Sequence, residues 1–334
     1  MHPPVDPLFR TLLTRSTTMG EKWQKPYFAP DFDWYGVDPP GLSQLRDSTV
    51  VFTQFRFGWY PLGLARKRRA AGELISISLP GRGWTEDFTD EEWRDSQYPW
   101  ARGYHGLYAH LSANGGHTFE TVKLTTSPYR DGFSRTGVIE LSDGRVAYAV
   151  TEQPPPVNRH TYVLYSRTSC RTWDPPVLIV KSPELSYIEP HLAEVSQGEI
   201  YCILRTSNLG VPATRQSDMG YLYGCRSTDG WLTWSTPKST GMFGLPGDLV
   251  VLHDGRLLCT YGRRTAPFGI RACVSEDAGR TWQVEKEMVI RDDLPNSDLG
   301  YPTTIEYTPG HLFVCYYGQE PDGVTCIQGT YLTL

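Results

Sequence analysis

The sequence predicts an all-β fold: a six-bladed β-propeller, with five blades as the alternative count. Two repeated signals and the composition predict it. The first signal is an octapeptide, cleanest at Ser275-Glu276-Asp277-Ala278-Gly279-Arg280-Thr281-Trp282, with weaker copies beginning at Ser16, Ser112, Ser166 and Ser227. The last four copies stand 48 to 61 residues apart, and a period of that size marks a repeat architecture. Its chemistry makes a compact turn between antiparallel strands. Ser275 and Asp277 can accept backbone amides, Gly279 can take φ > 0, and Trp282 can bury its ring beneath the turn. The second signal is a series of tight turns between apolar runs, at Asp47-Ser48, Asp143-Gly144, Gln197-Gly198, Asp254-Gly255 and Pro309-Gly310, which read as hairpins. The third is composition: 32 Gly and 26 Pro scattered through 334 residues suit many short strands, and long amphipathic helical patterns are absent.

Taken in order, each unit reads strand, tight turn, strand, strand, octapeptide turn, strand, which is one four-stranded blade. Dividing the chain by about 55 residues per unit gives six. The stretch from Asp47 to Asp143 holds either two blades or one blade with a long insertion, and Gly81–Gly103 reads as that insertion. It gathers Asp87, Asp90, Glu91, Glu92, Asp95 and three Trp with poor alternation. Residues 1–334 thus form a single propeller domain, with the Ser16 octapeptide and the strands from Tyr301 to Leu334 sharing the closing blade. Innermost strands are expected to open near residues 35, 135, 188, 245 and 301.

Bulk properties exclude several function classes. The net charge of −5 gives no electrostatic footprint for nucleic acid, and the basic run Arg66-Lys67-Arg68-Arg69 reads as a solvated loop. No run of 18 apolar residues suggests a membrane span. Met1-His2-Pro3-Pro4-Val5-Asp6 lacks the regions of a signal peptide, so the expected location is cytoplasmic, or secreted if a leader precedes this sequence. Seven cysteines without C-x-x-C spacing argue against a disulfide framework and a zinc site; no metal or other cofactor is implied, and the oligomeric state is not encoded legibly.

The octapeptides resemble the Asp-box (BNR) repeats of the sialidase superfamily, a β-propeller family, and the resemblance spans nearly the whole chain. It implies that Ser275, Asp277, Gly279, Thr281 and Trp282 are structural residues of the outer rim, away from the active face. It also implies a Tyr nucleophile activated by a Glu, a triad of Arg on the substrate carboxylate, and an Asp acid/base; sialidases stand outside the two-carboxylate scheme of most glycosidases. Carried over position by position, Tyr301 is the nucleophile, Glu189 its activating base, and Arg205 and Arg264 two of the triad, with Arg271 the competitor for the second place. The first triad Arg belongs to an F/Y-R-I-P motif, and the corresponding stretch, Trp34-Tyr35-Gly36-Val37-Asp38-Pro39-Pro40, has no Arg. Arg56 on the following strand is the substitute. The acid/base role falls to Asp38, the acidic cluster of 81–103, or His105.

Three functions fit. A glycoside hydrolase acting on a glycan end with a carboxylated sugar, sialic-acid-like or uronic, would need Glu189, Tyr301 and the Arg residues on one face. A polysaccharide lyase would use Tyr301 with His105 or His191 for proton transfer. A non-catalytic glycan-binding propeller would use the same Arg and aromatic residues only to hold the sugar. The expected partner is a carbohydrate in every case.

Overall fold

The computed structural model describes residues 9–29, 37–152, 160–183, 185–207 and 219–334, apart from the side chains of Asp38, Pro39 and Ser207. These residues form five propeller blades. Blade one contains Val37–Gln44, Val50–Pro61, Trp100–Ser112 and Glu120–Lys123; blade two contains Ile139–Glu140 with Gly132–Phe133, then Val146–Glu152, His160–Ser166 and Val177–Lys181. Blades three and four are regular four-stranded meanders, Ser186–Ser196 to Lys238–Phe243 and Gly247–Val251 to Met288–Arg291. Blade five has three strands, Gly300–Thr308, His311–Gln319 and Thr325–Thr333.

Six blades is therefore corrected to five. The stretch between Asp47 and Asp143 is one blade whose second and third strands are separated by residues 62–99. That excursion, expected as a loop over 81–103, carries a helix, Leu62–Ala70, and two short strands, Ile75–Leu79 and Gly83–Thr85. It has its own small core of Ile75, Ile77, Leu79, Phe88 and Trp93 against Tyr60, Ala65 and Ala101. The basic run lies in the helix, where Arg and Lys are good helix formers; Arg68 pairs with Glu73 at 2.8 Å and Arg69 stacks on Phe88. The Ser16 turn belongs to a separate two-stranded hairpin, Leu12–Leu13 with Tyr27–Phe28. The Tyr331 hydroxyl donates to the Met19 carbonyl, and Thr11 donates to Gln54 of blade one at 3.1 Å. The two ends of the chain thus meet through side chains rather than through one shared ladder.

Burial explains why inner blades read as continuous apolar runs. Leu257, Cys259 and Tyr261 face blade three, packed with Ile203 and Leu222, while Leu258 and Ala272 face Leu312 of blade five. A strand covered on both faces has no polar side to alternate with. Blade five alternates cleanly because Leu312, Val314 and Tyr316 pack on blade four while Ile305 and Ile327 are 55% and 74% exposed on its other face.

The octapeptide turns have the geometry their chemistry requires. Ser275 Oγ accepts from the Gly279 amide at 2.7 Å, and Asp277 accepts from the Thr281 amide and hydroxyl at 2.8 and 2.6 Å. The Ser112, Ser166 and Ser227 copies repeat the serine contact onto Gly116, Cys170 and Trp231. Two successive residues have positive φ, Ala278 at 59° and Gly279 at 80°. Added bulk at position 279 would meet the Tyr201 ring at 2.9 Å, so glycine serves both conformation and close approach here. A second inter-blade device was not legible. Glu140, Glu194 and Glu306, each six residues before its ladder partner, accept backbone amides of the preceding blade at Arg46, Ser142 and His253.

Candidate active site

Glu189 and Tyr301 sit at equivalent places in blades three and five. Each opens an innermost strand, precedes a proline, and has φ of 50°. At each the ladder register shifts, between Ile188 and His191 and between Gly300 and Thr303. A bulge of this kind re-aims one side chain relative to the regular pleat, and a left-handed non-glycine residue costs about 1–2 kcal/mol. Strain of this sort collects at functional sites. The Glu189 amide is anchored on Thr151 of blade two at 3.2 Å.

The two side chains converge although 112 residues separate them: the Tyr301 hydroxyl lies 3.5 Å from Glu189 Oε1. Arg205, at the end of the second strand of blade three, joins them. Its Nη1 is 2.9 and 2.8 Å from the two Glu189 oxygens and 2.9 Å from the Tyr301 hydroxyl. A third group, Arg135, opens blade two. Its guanidinium stacks 3.5 Å from the centre of the Tyr301 ring and reaches Glu189 at 2.8 Å. Glu189 is only 3% exposed. Burial alone would raise its carboxyl pKa, but the Arg135 and Arg205 charges outweigh that and hold it below the ordinary value.

Arg264, directly after the second strand of blade four (Leu257–Arg263), faces the same set. Its Nε donates to the Leu299 carbonyl at 3.0 Å and its Nη2 to the Tyr317 hydroxyl at 3.2 Å. Burial lowers its pKa, and both Arg205 and Glu189 act on it electrostatically. Tyr317 donates to Asp298 at 3.0 Å and stacks on Tyr301, with ring centres 5.8 Å apart and planes 15° from parallel.

Other expected residues lie elsewhere. Arg271 is 2% exposed inside blade four, bonded to the Ile270, Pro267 and Arg291 carbonyls and 3.5 Å from Glu287. A guanidinium so enclosed braces strands rather than facing a ligand, which corrects its candidacy. Arg56 lies opposite Gly106 in blade one and acts on the charge of His105 and Tyr108. His105 bonds Tyr60 at 2.5 Å, and burial lowers its pKa. That cluster makes no described contact with Glu189 or Tyr301. His191 engages Asp248 at 3.1 Å and the Leu249 amide. Within the acidic cluster, Glu92 pairs with Arg82 and Asp90 is exposed. Trp34, Tyr35, Gly36 and the Asp38 side chain lie outside the described residues.

Sequence reasoning missed Arg135, Tyr317 and the role of Asp298. Arg135 stood at one of the five expected strand openings, which was its available signal. Asp131, four residues before it, has its carboxyl pushed up to about 6 by burial. Among the described residues, no group of three or more His, Cys, Asp or Glu is placed to hold a metal ion, and no helix is long and apolar enough to cross a membrane.

Comparison with solved structures places the fold. A protein of unknown function from Dyadobacter fermentans superposes with a TM-score of 0.77 at 22% identity, covering 99% of this chain and 85% of the other. A Hadza microbial sialidase, Hz136, gives 0.63 at 15% identity, over 96% of this chain and 58% of that one. The fold is sialidase-like. The intramolecular trans-sialidase from Ruminococcus gnavus, in complex with oseltamivir carboxylate, gives 0.62 at 13% identity, over 97% and 88%. No protein-family model and no curated protein sequence matches the chain.

Proposed function

We propose that the protein is a glycoside hydrolase that removes a carboxylated sugar, sialic-acid-like or uronic, from the end of a glycan. The observation that carries this reading is the Tyr301 hydroxyl 3.5 Å from the buried Glu189 carboxylate, with Arg205 touching both. A phenol, with an ordinary pKa of about 10, attacks well only when a base beside it takes its proton. Glu189 is ionised at neutral pH and supplies that base. A neutral tyrosine also approaches an anionic sugar without the repulsion a carboxylate nucleophile would meet. Arg135, Arg205 and Arg264 give the site an excess of positive charge over Glu189 and Asp298, and guanidinium groups suit planar carboxylates.

A second reading, a non-catalytic glycan-binding propeller, is favoured by one observation. Both Glu189 oxygens are already engaged by guanidinium groups, which weakens the carboxylate as a base. Fluorogenic aryl glycosides of sialic and uronic acids separate the two. Turnover abolished by Tyr301→Phe supports the hydrolase; saturable binding of the free sugars with no turnover supports the binding module. An unsaturated uronate product, seen by its ultraviolet absorbance, would turn the assignment to a lyase.

A further inference from the structure

Tyr317 is not needed for the chemistry just described, yet it touches three of the site's groups. It lies opposite Gly300 in the ladder of blade five, directly beside the strand opening that presents Tyr301. Its ring stacks on the Tyr301 ring at 5.8 Å, with the Arg135 guanidinium 3.5 Å from that same ring. Its hydroxyl accepts from Arg264 Nη2 at 3.2 Å and donates to Asp298 Oδ1 at 3.0 Å. Arg264 and Asp298 have opposite charges and act on one another electrostatically, yet a hydroxyl stands between them where an ion pair would form.

We propose that Tyr317 is a positioning residue of this site: its hydroxyl is a spacer that keeps Asp298 off Arg264, and its ring supports Tyr301. This rests on the reading of the site as one for a carboxylated sugar. A carboxylate in direct contact with Arg264 would occupy the donors a ligand carboxylate needs, because bidentate pairing uses two guanidinium nitrogens at once. The Leu299 carbonyl already takes Nε and the Tyr317 hydroxyl takes Nη2. With the spacer in place, Nη1 has no described partner and stays available to an anion. The hydroxyl does this because it both donates and accepts: it gives Asp298 its proton and Arg264 its lone pair.

Ring and hydroxyl can be removed separately. Tyr317→Phe keeps the stack and deletes the spacer; Tyr317→Leu deletes both. The probes are free N-acetylneuraminic acid and glucuronic acid, titrated calorimetrically against the full chain, with Arg205→Ala as the control that binding is at this site. Tyr317→Phe should weaken binding at least fivefold. Adding Asp298→Asn to Tyr317→Phe should restore binding to within twofold of the wild type, because no carboxylate then competes for Arg264. With a cleaved substrate, Tyr317→Phe should raise KM and keep kcat within threefold, whereas Tyr317→Leu should lower kcat more than tenfold. A crystal structure of Tyr317→Phe should show Asp298 within 4 Å of an Arg264 nitrogen, a result that needs no ligand. Asp298 unmoved in that structure, or a double variant binding no better than Tyr317→Phe, overturns the spacer. Equal kcat for the Phe and Leu variants overturns the support of Tyr301. Binding without turnover defeats the hydrolase reading and leaves the spacer to be decided by the binding and structural arms.

Discussion

The rim turn at Ser275–Trp282 and the pocket around Tyr301 are both built from hydrogen-bonded polar side chains, but they are assembled over different distances along the chain. In the turn, Ser275 and Asp277 bond residues two to four positions away. In the pocket, Arg205 meets Tyr301 across 96 residues and Glu189 meets it across 112. A local device needs its residues at fixed offsets, so it leaves a pattern in the sequence. A pocket needs only that separate strand ends bring their side chains to one place, so it leaves single residues without spacing. The comparison also predicts a division of labour: rim changes should alter stability, and pocket changes should alter activity as well.

The largest effect should come from Glu189→Gln. It leaves Arg135 and Arg205 facing one another without their counter-charge, and breaking a buried pair in this way costs about 3–5 kcal/mol. Turnover should fall by about 10²-fold or more through loss of the base. The pH dependence has a definite sign. The native carboxyl pKa is held below its ordinary value, so its stabilisation is present above the unfolded value and is lost as pH falls through the native one. Denaturant melts of wild type and variant should therefore differ widely at pH 7 and converge in strong acid. A constant gap would remove Glu189 from the charge network.

Trp282→Ala is the matching test at the rim. Truncating a buried tryptophan costs about 3–5 kcal/mol, and its indole also donates to Tyr201 at 3.2 Å. A lowered Tm with unchanged kcat per folded molecule is expected. Loss of kcat at unchanged Tm would erase the distinction between rim and pocket.

Asp131 should show the opposite sign to Glu189. Burial pushes its carboxyl up to about 6, so the native state favours the neutral form and loses stability as pH rises from the unfolded value through the native one. Asp131→Asn should then stabilise at pH 8 by about 3 kcal/mol and have little effect at pH 4. The smallest expected effect is that of Glu194→Ala, about 1 kcal/mol, since its carboxylate accepts the Ser142 and Gly198 amides at an exposed turn. Urea midpoints measure both.

Legibility followed the same division. The repeated turns, hairpins and strand openings were readable because each is a short pattern with a conformational reason, such as φ > 0 at Gly279. The blade count was not, because dividing length by period cannot distinguish a blade from the 62–99 excursion, which holds about as many residues as a short blade. Glu189 and Tyr301 could be singled out because each opens a blade and falls where the sialidase resemblance calls for a Glu and a Tyr; the structure shows that these positions are bulged. Arg135 carries no such mark. Its position at an expected strand opening was the one local signal that set it apart from Arg56, and only the assembly of blades two, three and five brings it onto the Tyr301 face. Tyr317 is one of 20 tyrosines, and its contacts with Asp298 and Arg264 join residues whose proximity no periodicity encodes.

The central claim is that the Tyr301 oxygen attacks the sugar. A fluorinated, activated glycosyl donor of the sugar the enzyme cleaves slows breakdown of any glycosyl-enzyme, so intact mass followed by peptide mapping reads the nucleophile directly. The account predicts a gain of one glycosyl unit on the peptide containing Tyr301, absent from Tyr301→Phe and much reduced in Glu189→Gln. Substrate turnover with no adduct, or an adduct on another residue, would contradict it.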